Sequence, residues 1–70
     1  MNLKEEQEVY FNTLRTMEMD AEQVSDALYA RYMGGDDSVS WDDVDEAFER
    51  VCRLADERIQ LSHELAIVYL

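Results

Sequence analysis

The sequence contains no proline, two glycines and a single cysteine, and each shortage removes a class of structure. Without proline nothing breaks a helix from within, and the two glycines stand side by side at Gly34 and Gly35, the one place built for a sharp turn. Cys52 alone cannot close an internal disulfide, which points to a reducing compartment. Cys52 and the lone His63 lie eleven residues apart with no second thiol or imidazole, so neither a zinc site nor a Cys-His nucleophile pair is expected. Positive charge is scarce as well: six Lys and Arg against seventeen Asp and Glu leave a net charge of −11. Such a field disfavours direct contact with DNA, RNA or anionic lipid. No run is long enough to span a bilayer, and the opening MNLKEEQE is too acidic and too polar for a signal peptide. The expected setting is the cytoplasm.

What is present argues for a folded chain. Hydrophobic residues make up 47% of it and aromatics 10%, more than a disordered acidic tail carries. Seventy residues suffice for a single domain, 1–70, with a small core. Chains of this size commonly draw extra stability from a disulfide, a metal or a partner. With the first two unprovided, oligomerisation is the expected aid.

Capping signals predict an all-α fold, a small three-helix bundle with a long C-terminal helix. Asn2 followed by Glu5 is a capping-box pattern opening a helix over about 3–18, with Leu3, Tyr10, Leu14 and Met17 on one face and Phe11 at its edge. Asp20 with Gln23, stapled by Met19 and Val24, predicts a second helix over about 21–33, through Ala27, Leu28 and Tyr32, which the glycines end. Ser40 with Asp43, stapled by Val39 and Val44, opens a third over about 41–69. Its apolar face is expected to be Trp41, Val44, Phe48, Val51, Ala55 and Ile59, with Trp41 as a core anchor and Cys52 half-buried at the edge. The last turns, Leu61 to Leu70, are apolar almost all round. Either the chain folds back over them or a second copy covers them as a homodimer.

The acidic run from Asp36 to Glu49 is the feature that most needs a purpose. Asp42, Asp45, Glu46 and Glu49 recur at i, i+3, i+4 and i+7, a continuous stripe opposite the expected apolar face. Glu46 with Arg50 and Glu49 with Arg53 are acid-first i,i+4 pairs, the spacing of ordinary solvated ion pairs. Asp36, Asp37, Asp42, Asp43 and Asp45 have no base within helical reach, although Asp42 and Asp43 gain from the positive end of the helix. Paired carboxylates doing acid-base chemistry need a pocket that separates their pKa values, which a bundle this small rarely holds, so no catalytic residue is assigned.

Three resemblances bear on that run. GGDDSVSWDDVDEAF resembles the exit half of an EF-hand, with Val39 as its eighth position and Asp43 as its twelfth. Tyr32 and Gly34 then stand where ligands belong and Asp37 where glycine must turn the loop, so no metal is assigned. Asp37-Ser38-Val39, with Asp43, Val44, Phe48 and Glu49 following, resembles the Asp-Ser-Leu motif of acyl carrier proteins, which implies a phosphopantetheine arm on Ser38. In size, charge and the run Asp36 to Glu49, the chain resembles the small acidic inhibitor proteins that phages make, anti-CRISPR proteins among them, several of which occupy DNA-binding surfaces.

The third resemblance implies a stoichiometric inhibitor in the host cytoplasm, without catalysis or cofactor, acting as a DNA mimic on the basic surface of a protein or nucleoprotein. The expected partner-binding residues are Asp36, Asp37, Asp42, Asp43, Asp45, Glu46 and Glu49, with Tyr29 as an aromatic contact one position off the Leu28 face. An acyl-carrier-like protein modified at Ser38 and an acidic antitoxin-like or regulatory subunit are the alternatives. Val9 and His63 are read as plain surface residues.

Overall fold

The computed structural model describes residues 2–69, with side chains through residue 66, and it is a hairpin of two long helices. Helix α1 runs Leu3–Met33 and α2 runs Trp41–Tyr69. This corrects the three-helix bundle: the stretches 3–18 and 21–33 are one unbroken helix. The Asp20 and Gln23 pattern does not act as a cap, because nothing between Met17 and Ala21 interrupts the backbone hydrogen bonding and an interior Asp costs only about 0.6 kcal/mol relative to Ala. Continuous contact with α2 across that point outweighs so small a local preference.

The contact is a heptad seam. Gln7, Phe11, Leu14, Glu18, Ala21, Ser25 and Leu28 alternate at spacings of four and three along α1, and all are buried or half-buried. On α2 the same alternation takes Val44, Ala47, Val51, Leu54, Arg58, Leu61 and Leu65 inward. A 3.5-residue repeat keeps one stripe facing the partner helix along its whole length. Leu14, Ala21, Leu54 and Leu61 form the buried cluster, with Phe11, Val51 and Leu65 packed against it. Small side chains at Ala21, Ser25 and Ala47 let the two backbones approach.

One seam cannot cover what three helices would have covered. Trp41, Phe48 and Ile59, expected inside, are 54%, 58% and 49% exposed, and Leu3 and Tyr10 of α1 are 63% and 52% exposed. Cys52, expected to be half-buried, is exposed too. These positions flank the seam instead of lying in it. No large side chain among the described residues is completely buried, so the core is thin for a chain this long.

The turn is determined in detail by the sequence. At the end of α1, Gly35 N–H donates to the Tyr32 carbonyl at 3.1 Å and Asp36 N–H to the Arg31 carbonyl at 3.0 Å, a Schellman motif. That motif places Gly35 at φ +85°, where a side chain would be strained. At the start of α2, Ser40 N–H donates to Asp43 Oδ2 at 2.9 Å and Asp43 N–H to Ser40 Oγ at 3.3 Å, the reciprocal box the sequence predicts. Asn2 Oδ1 likewise accepts from Glu5 N–H at 2.9 Å at the start of α1. Val39 and Val44, the expected staple, are both buried.

Folding back answers half of the question posed by the C-terminal turns. Leu61 and Leu65 face the seam, covered by the first half of α1. The side chains of Ile67, Val68, Tyr69 and Leu70, which the homodimer reading also needs, lie outside the described residues.

Candidate functional site

The seven carboxylates and Tyr29 expected to bind a partner fall into three settings, the turn, the first turns of α2 and a groove beside them. Asp36 belongs to the turn. Its Oδ1 accepts from Ser38 Oγ at 2.6 Å and from Ser38 N–H at 2.9 Å, while Oδ2 takes Arg31 Nε at 2.9 Å. The Ser38 hydroxyl, its backbone N–H and then the Arg31 guanidinium together lower the Asp36 pKa to about 2. The expectation that Asp36 has no base within reach is therefore corrected: the Schellman turn brings Arg31 back onto it, which helical spacing alone could not reveal. The Ser38 hydroxyl also accepts from Arg31 Nη2 at 3.0 Å, so it too belongs to the turn network.

Asp43 closes the α2 cap, and Asp37 is exposed in the loop. Asp42, Asp45, Glu46 and Glu49 point away from the seam on the first two turns of α2, all exposed. The expected pairs of Glu46 with Arg50 and Glu49 with Arg53 are not formed, whereas Arg31 pairs with Asp36 and Arg58 with Glu18. Long exposed side chains gain little from such contacts against their rotamer entropy. The four carboxylates face water without a direct ion pair, although Arg50 and Arg53 line the same surface as Glu46 and Glu49.

Tyr29 sits elsewhere, in a groove on one flank of the hairpin near the turn. Ser25 and Val44 form its floor, and Tyr29, Trp41 and Phe48 its walls, around an open volume of about 460 Å³. Trp41 leans on Tyr32, with ring centroids 5.6 Å apart and planes tilted by 59°, and stays about half exposed. Asp26 on the α1 side and Asp45 on the α2 side border the groove. Asp45 thus joins the acidic face to an aromatic one. Spacing shows why both lie on this flank: Tyr29 immediately follows seam residue Leu28, while Trp41 and Phe48 are one heptad apart beside Val44.

Sequence reasoning did not find the pair Glu18 and Arg58. Arg58 directs Nε to Glu18 Oε2 and Nη2 to Glu18 Oε1, the second bond at 3.3 Å, across forty residues of sequence. This bidentate bond raises the Arg58 pKa further, and Glu18 is 9% exposed. Among the described residues no three His, Cys, Asp or Glu side chains converge as metal ligands, and no helix is long and apolar enough to cross a membrane.

No protein-family model, curated protein or solved structure matches the chain.

Proposed function

We propose that the protein is a small acidic protein-protein interaction module, a stoichiometric inhibitor that occupies a basic, nucleic-acid-handling surface of a partner. One observation carries this: Asp42, Asp45, Glu46 and Glu49 stand on a rigid helix, exposed and outside the Arg31–Asp36 and Arg58–Glu18 pairs. Over those two turns the helix presents roughly one carboxylate per 3 Å of axis. Duplex DNA presents one charge per ~1.7 Å. Over the whole 49 Å long axis a net −11 is much sparser, about one charge per 4–5 Å. The density supports competition at one corner of a nucleic-acid channel, next to the turn, and not imitation of a long duplex. Asp36 and Asp43, engaged in the turn and the cap, shape that corner and contribute field more than contact.

Exposed charges of this kind act by steering, so association is fast and weakens as salt rises. The test compares affinity capture from host lysate by the wild type and by Asp42→Lys/Glu49→Lys, at low and at high salt. A nucleic-acid-binding protein held by the wild type, lost on charge reversal, and losing its own nucleic-acid binding when the module is added is the expected result. The same partners held equally by both forms at either salt would refute it.

A further inference from the structure

The geometry points to the groove between Tyr29, Trp41 and Phe48 as the docking site for an amphipathic helix of the partner that bears Lys or Arg beside its apolar anchors. This rests on the inhibitor reading above and goes further by naming what is bound and where. Tyr29, Trp41 and Phe48 are each about half exposed, at 49%, 54% and 58%, although aromatic side chains carry more burial energy than any others. Trp41 and Phe48 lie one heptad apart on α2, about 10.5 Å along the axis. The i and i+7 anchors of a helix laid into the groove have the same separation. An open volume of about 460 Å³ takes apolar side chains, not a whole helix, so the helix would lie along the mouth of the groove, parallel to α2, with its anchors inside.

Charge selects the occupant. Asp26 and Asp45 border the groove from opposite sides, neither engaged in an ion pair among the described residues. The half-exposed indole of Trp41 offers a ring quadrupole that attracts a cation. A second copy of this chain would bring a net charge of −11 to the same acidic rim. Cationic and apolar groups alternating on one helix satisfy both the rim and the walls.

The probe is a synthetic helical peptide with Leu at i, i+3 and i+7 and Arg at the flanking positions, alongside the same peptide with Glu in place of Arg. Trp41 is the only tryptophan, so its fluorescence reports the groove directly. The Arg peptide should shift the emission to the blue in a saturable titration, with affinity reduced about tenfold by Phe48→Ala and by Asp45→Lys. The Glu peptide should leave the emission unchanged. Equal binding of both peptides, or no binding of the Arg peptide, overturns the proposal. So does a wild type that sediments as a dimer and becomes monomeric with Phe48→Ala, since a second copy would then fill the groove. A captured partner that is lost with Asp42→Lys/Glu49→Lys but held fully by Phe48→Ala defeats the groove while leaving the inhibitor reading intact. Peptide binding by a protein that captures no nucleic-acid-handling partner defeats the inhibitor reading alone.

Discussion

Arg58 reaches across the hairpin to grip the carboxylate of Glu18 through Nε and Nη2, one edge of its guanidinium, between the apolar layers of the seam. On one side of this level lie Leu14 and Leu61, on the other Ala21 and Leu54, all in one buried cluster. A slip of either helix by a few residues would place both charges among apolar side chains. The pair therefore specifies register at some cost in desolvation. Glu18→Leu, which strands Arg58, should lower the melting temperature by on the order of 5–10 °C. Glu18→Leu/Arg58→Leu should recover most of that loss while loosening the register, read as a second set of amide resonances. A double variant no more stable than the single one would show that the pair's value is energetic.

The turn carries its own acid sensitivity through Asp36. With its pKa lowered from 3.8 to about 2, the Asp36 carboxylate stabilises the fold fully above its unfolded value. That contribution is lost as pH falls from about 4 to 2, because the unfolded chain binds the proton first. Carboxyl-carbon NMR should show Asp36 titrating with a midpoint near 2 in the wild type. Ser38→Ala, which removes the largest cause, should move it up toward 3.8. An unmoved midpoint would mean that the backbone N–H of residue 38 and Arg31 hold the carboxylate down without the hydroxyl.

How much of this was legible depended on whether a feature is local. The caps at Asn2 and Ser40, the Val39 and Val44 staple and the glycine turn follow from neighbours three to five residues apart, and the structure contains each of them. The seam was obscured because its residues do not look like a core: Gln7, Glu18, Ser25 and Arg58 sit in it, with Ala21 and Ala47. Reading apolar faces by residue type favoured Tyr10, Trp41, Phe48 and Ile59, which are larger and more hydrophobic but lie a position or two off the heptad. A third helix would have covered them, so the helix count and the assigned core were one error. The 4-3 alternation itself was present in the sequence and was the signal to follow. Tyr29, expected as an aromatic contact one position off the Leu28 face, is exposed, and Trp41 and Phe48, expected inside, are exposed beside it.

Seam and flank should separate cleanly under truncation. Leu54 is 8% exposed at the centre of the cluster, and Leu54→Ala should cost about 2–5 kcal/mol, a large part of the stability of a thin core. Phe48→Ala, at a position 58% exposed, should stay within about 0.5 kcal/mol of wild type. Urea midpoints compared at constant slope measure both. A costly Phe48→Ala would mean that the flank is covered in solution by something the hairpin does not supply.

The unbroken course of α1 makes opposite demands on residues with similar sequence signatures. Asn2, Ser40 and Asp20 each precede a Glu, Asp or Gln by three positions, yet only Asn2 and Ser40 cap a helix; Asp20 is exposed in the middle of one. Losing a working cap costs about 1 kcal/mol. Replacing an interior Asp by Ala instead gains helix propensity, up to roughly 0.6 kcal/mol. Asn2→Ala and Ser40→Ala should therefore lower the urea midpoint, and Asp20→Ala should raise it slightly. The helical circular dichroism signal should be retained in all three. If Asp20→Ala destabilised the protein as much as Ser40→Ala, a helix start at Asp20 would be indicated, and the chain in solution would bend there.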